Sequence, residues 1–95
     1  MRRTRKPTTP GEILRDEFLV PLGRTQKQLA EHIGCDLKVI NRIINGRTSV
    51  SAEMALKLGA TFGISPEFWL NAQKAVDLFA AAQKTKVLPR QLHAA

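Results

Sequence analysis

Five polar residues, Thr9, Thr25, Asp36, Ser51 and Ser65, each stand just ahead of a run whose apolar side chains recur at helical spacing. Residues of this kind accept the orphaned N–H groups at a helix start, and the spacing gathers the apolar side chains on one face. Two of the five open capping boxes. In Thr9-Pro10-Gly11-Glu12 the third helical position is Glu and proline takes the first, and in Thr25-Gln26-Lys27-Gln28 the third is Gln. Ser65-Pro66 again places proline first, with Glu67 near the positive end of the helix dipole. The stops are as clear: Pro21 and Gly23, Gly34, Asn45-Gly46 and Gly63. No stretch alternates with period two for long enough to suggest a strand. The chain is therefore predicted to be all-α with five helices. The first runs from Pro10 to about Leu19, the fourth over 52–62 and the fifth over 66–84.

A chain of 95 residues holds one domain with a modest core. Its 15 basic residues against 8 acidic ones give a net charge of +7. In so small a protein that balance suggests a polyanionic partner, nucleic acid or an anionic membrane, with solubility alone as the plainer reading. No apolar run approaches the ~20 residues of a membrane span. The start, MRRTRK, is followed by PTTPGE rather than an apolar signal core, so a cytoplasmic protein with no membrane partner is expected. The lone Cys35 cannot form an internal disulfide, and a reducing compartment agrees with that. His32 and His93 lie far apart, no Cys/His/acid cluster has metal-ligand spacing, and no nucleophile has a base at a recognisable interval. No metal, cofactor or enzymatic activity is expected.

The most informative segment is 25–47, TQKQLAEHIGCDLKVINRIINGR, which reads as two short helices joined by a tight turn at Gly34, a helix-turn-helix over 25–46. Leu29 and Ala30 are placed to pack under the second helix, where a side chain larger than alanine would push it away. Ile40 and Ile43 face back into the core. Lys38, Asn41, Arg42 and Asn45 follow i, i+3, i+4, i+7 spacing and share one face. Lys38, Asn41 and Arg42 suit base edges in a DNA major groove: lysine and arginine fit guanine O6 and N7, asparagine fits adenine N6 and N7. Gln26, in the first turn of the preceding helix, is a candidate for a phosphate, and Asn45, Arg47 and Thr48 for the DNA backbone. Leu37 either touches a thymine methyl or packs, and the sequence does not choose. The plainer alternatives are a helical hairpin in a small bundle and a solvated polar face.

Outside this motif, residues 1–8 form a basic arm. Arg2, Arg3, Arg5 and Lys6 suit phosphates or a minor groove, and equally a solubilising tail. The helical domain spans 9–84, and 85–95 is a C-terminal tail containing Pro89. The fifth helix carries more apolar surface than one small core needs. Phe68, Ala72, Ala75 and Phe79 make one stripe, and Trp69, Val76 and Ala80 another beside it. Phe68, Trp69, Ala72, Val76 and Phe79 therefore belong to a dimer interface or to a broad core. A symmetric dimer would present two reading helices to successive major grooves.

Four runs, PGEILRDEFLVPLG, the helix-turn-helix, NGRTSVSAEMALKLGATFG and SPEFWLNAQKAVDL, resemble the HigA antitoxin family, part of the phage-repressor-like helix-turn-helix group. The resemblance covers roughly residues 10–78, and SPEFWLNAQ is its most specific part. It implies a five-helix, phage-repressor-like fold with a C-terminal dimerisation helix, and a homodimer that binds a palindromic operator and represses its own operon. It also implies neutralisation of a HigB toxin, an mRNA-cleaving protein of the RelE kind. The family's base contacts fall on Lys38, Asn41 and Arg42, its helix 2 phosphate contact on Gln26, and its later backbone contacts on Asn45 and Arg47. The same pattern also fits a stand-alone transcriptional regulator without a toxin partner.

Overall fold

The computed structural model describes residues 5–93, so Arg2 and Arg3 of the basic arm lie outside it. Among the described residues all regular structure is helical, in five helices. Helix α1 opens as Pro10–Ile13, widens into a π-helical Leu14–Leu19 and closes as Val20–Leu22. Helix α2 is Gln26–Ile33, α3 Leu37–Ile44, α4 Ala52–Phe62 and α5 Pro66–Lys84. Each starts at a side-chain cap. Thr9 and Thr25 form reciprocal capping boxes with Glu12 and Gln28, and Asp36, Ser51 and Ser65 accept single backbone N–H bonds. The Thr9 backbone N–H donates to the Glu12 carboxylate at 2.9 Å. That bond, with the Thr9 hydroxyl beside it, holds the Glu12 carboxyl below the usual carboxylate range.

The expected end of α1 near Leu19 is corrected by the structure: the helix continues to Leu22, with Pro21 inside its last turn. Proline lacks an N–H, and its ring clashes with the carbonyl four residues back in an α-helix. The π-turn ahead of it moves the ladder to five residues, as in the bond from Val20 N–H to the Arg15 carbonyl, and so relieves that clash. Gly23, at φ 64°, then stops the helix.

All five helices contribute to one core. Leu14 of α1, Ile40 of α3, Leu58 of α4 and Trp69 of α5 are its largest fully buried side chains, joined by Leu29 and Ala30 of α2. Trp69 is the centre of an aromatic group, with ring centroids 5.4 Å from Phe18, 6.2 Å from Phe62 and 5.2 Å from Phe68. Helix α1 approaches the end of α3 so closely that a Cβ on Gly11 would meet the Ile43 carbonyl oxygen and lie 2.7 Å from Ile44 Cα. Only glycine permits that contact, which fixes how far α3 stands from the body. The loop after α3 is tied to α5 by a hydrogen bond from the Val50 N–H to Gln73 Oε1 at 3.0 Å.

Candidate nucleic-acid interface

Helices α2 and α3 pack directly on each other across a three-residue turn. Gly34, at φ 85°, adopts the left-handed conformation that lets the turn close, and the N–H groups of Gly34 and Cys35 both donate to the Ala30 carbonyl, at 2.8 and 3.0 Å. Ala30 is buried, and so are Ile40, Ile43 and Ile44 on the inner side of α3. With those side chains fixed inward, Lys38, Asn41, Arg42 and Asn45 all stand in solvent.

The outward face is ordered by a chain of three amides. Asn41 Nδ2 donates to Gln26 Oε1 at 3.2 Å, and Asn45 Nδ2 donates to Asn41 Oδ1 at 3.2 Å. Each amide nitrogen carries two hydrogens and each amide oxygen two lone pairs. Asn41 is therefore held from both sides and keeps one donor and one acceptor for a further partner. The bond between Gln26 and Asn41 was not visible in the spacing, because it joins residues on two helices through their packing. Around it lies an open recess of about 480 Å³ lined by Gln26, Asp36, Leu37, Lys38, Asn41 and Arg42. Asp36, the acid in this lining, accepts from the Lys38 backbone N–H at 2.9 Å in capping the helix. Neither Lys38 nor Arg42 pairs with a carboxylate among the described residues. Leu37 is 44% exposed at the recess edge, so it does not serve as a core residue.

A second cleft, of about 630 Å³, lies between the N-terminal segment, the loop after α3 and α5. It brings Lys6 together with Asn45, Arg47 and Thr48, and its far wall is Gln73, Val76 and Asp77. Arg5 is exposed and does not line this cleft. Of the five apolar residues singled out on α5, Trp69 lies in the core, Ala72, Val76 and Phe79 are half-buried, and Phe68 is 39% exposed. Among the described residues no group of His, Cys, Asp and Glu could hold a metal ion, and no helix is long and apolar enough to cross a membrane.

Comparison with known proteins fits this geometry. Residues 14–69 match the helix-turn-helix family model. Antitoxin HigA-1 of Vibrio cholerae is 49% identical over 83% of this chain and 75% of its own length. An uncharacterized helix-turn-helix-type transcriptional regulator of Haemophilus influenzae is 43% identical over 80% of this chain and 71% of its own. Among solved structures, antitoxin GraA in complex with its operator superposes with a TM-score of 0.84 at 36% identity, covering 98% of this chain and 99% of that one. These relatives are DNA-binding regulators and antitoxins rather than enzymes. The chain belongs to the helix-turn-helix family of transcriptional regulators, among its HigA-type antitoxins.

Proposed function

We propose that this protein is an antitoxin and autorepressor. It binds a palindromic operator in the promoter of its own operon as a dimer and neutralises a HigB-type, RelE-like mRNA-cleaving toxin in the cytoplasm. The observation that carries the DNA-reading part is the outward face of α3, where Lys38 and Arg42 stand without acidic partners among the described residues, beside a braced Asn41. In this reading Lys38 and Arg42 donate to guanine O6 and N7, and Asn41 spends its remaining donor and acceptor on adenine. Gln26 and Asn45 hold the Asn41 amide plane and reach the DNA backbone beside it. Arg47 and Lys6 neutralise phosphates from the neighbouring cleft and the Thr48 hydroxyl donates to one, with Arg5, Arg2 and Arg3 as the rest of the arm. The half-buried Ala72, Val76 and Phe79, with Phe68, form the dimer contact. GraA solved on its operator and the HigA-1 antitoxin support this reading by similarity.

Co-expression with the adjacent reading frame, followed by affinity pull-down, tests the toxin half. The expected result is growth arrest by the neighbouring product alone, rescue by this chain, and co-purification of the two. A second reading, a stand-alone regulator of the same fold, is favoured by the similarity to the Haemophilus influenzae regulator. It gains the field if the neighbouring product neither arrests growth nor binds.

A further inference from the structure

The recess on the reading face holds one residue that cannot hydrogen-bond. Leu37 begins α3 and is 44% exposed among Gln26, Asp36, Lys38, Asn41 and Arg42, while Ile40, Ile43 and Ile44 of the same helix are buried. It stands one turn before Asn41, as Lys38 stands one turn before Arg42, so the two pairs form parallel rows along the helix. Leu37 is not part of the buried core or of the apolar side chains packed against it. A helix that enters the major groove presents its N-terminal residues most directly to the bases. On those base edges the apolar group is the C5-methyl of thymine; every other feature is a hydrogen-bond donor or acceptor.

We propose that Leu37 reads the C5-methyl of a thymine in each half-site, a specificity contact distinct from the hydrogen bonds of Lys38, Asn41 and Arg42. The proposal rests on the DNA-reading role of α3. Docking removes the Leu37 side chain and the methyl from water together, so the contact favours thymine over cytosine at one step without a hydrogen bond. Burying one methyl is worth about a fourfold change in affinity. A polar residue at this position would leave the methyl no apolar neighbour and would abolish that preference.

Uracil differs from thymine in the missing methyl alone, which makes the test direct. The full-length chain is used to select an operator from a random duplex library. Each thymine of the selected operator is then replaced by uracil in turn, and affinity is measured with the unchanged chain and with Leu37→Ala. Thermal unfolding checks that Leu37→Ala is folded, which its exposure predicts, and Leu37→Met serves as a second, apolar replacement. The expected result is one thymine in a half-site whose methyl is worth about fourfold to the unchanged chain, less than twofold to Leu37→Ala, and nearly its full value to Leu37→Met. The proposal is overturned if no uracil substitution weakens binding, or if Leu37→Ala feels the missing methyl as strongly as leucine does. Selection that yields no preferred sequence would overturn the DNA-reading role itself, a failure distinct from loss of this one contact.

Discussion

Helices α3 and α5 both leave the body with one face uncovered, and the two faces are opposites. Helix α3 buries Ile40, Ile43 and Ile44 and turns a mainly polar face outward, where Asn41 and the capping Asn45 are joined to Gln26 of α2. Helix α5 is the longest helix, yet Trp69 is its one fully buried side chain; Ala72, Val76 and Phe79 are half-covered, and Leu78 is 66% exposed. Polar groups in water lose little by waiting, provided their hydrogen bonds are met. Apolar groups in water carry a standing cost that burial removes. The first face is thus ready for a polar, charged partner, and the second for an apolar one. The two chemistries do not compete for the same surface.

The comparison breaks most severely at the point where α5 belongs to the core. Trp69→Ala is expected to cost about 3–5 kcal/mol in urea unfolding, because it empties the centre of the Phe18, Phe62 and Phe68 group. Trp69→Phe should cost far less, since it keeps an aromatic ring and removes an indole N–H that finds no acceptor among the described residues. The half-exposed side of the same helix should behave differently. Phe79→Asp is expected to leave a folded chain while weakening self-association by about 2 kcal/mol or more, read by sedimentation over a concentration series. If it unfolds the chain instead, α5 is core along its whole length and the contrast with α3 is lost.

The smallest effect sits at the start of α1. The Glu12 carboxyl is held below its usual value of 4.5, first by the Thr9 backbone N–H. A carboxylate with a lowered folded value contributes its stability fully above the unfolded value and loses it as pH falls through the lowered one. Unfolding of the unchanged chain should therefore lose a small increment of stability below about pH 4.5, and Glu12→Gln should remove that part of the pH dependence. An identical acid profile in the two proteins would show that the charge of Glu12 adds nothing to the capping box.

Much of the fold was legible because helix starts are written locally. Thr9, Thr25, Asp36, Ser51 and Ser65 each act within three residues of themselves, so no knowledge of packing was needed to find them. Helical spacing likewise put Lys38, Asn41, Arg42 and Asn45 on a common face. What escaped depended on distance or on backbone geometry. The π-turn before Pro21 was hidden because proline in a sequence marks a break, and a widened ladder that absorbs it has no local signature. The Gln26–Asn41 bond was hidden because it needs Ala30 to set the spacing between two helices. Leu37 could be placed on neither side from its identity alone, since its exposure is settled by what the rest of the chain fails to bring near it.

The central claim is that the outward face of α3 reads DNA sequence. Fluorescence anisotropy of a labelled operator duplex, titrated with the unchanged chain, Lys38→Ala and Arg42→Ala at one salt concentration, tests it most directly. Neither side chain is buried or paired with a carboxylate among the described residues, so both variants should fold normally. Each is predicted to lose roughly 1–3 kcal/mol of specific binding and to relax preference at one base step, while binding to unrelated duplex falls much less. Unchanged operator affinity in both variants would contradict the account.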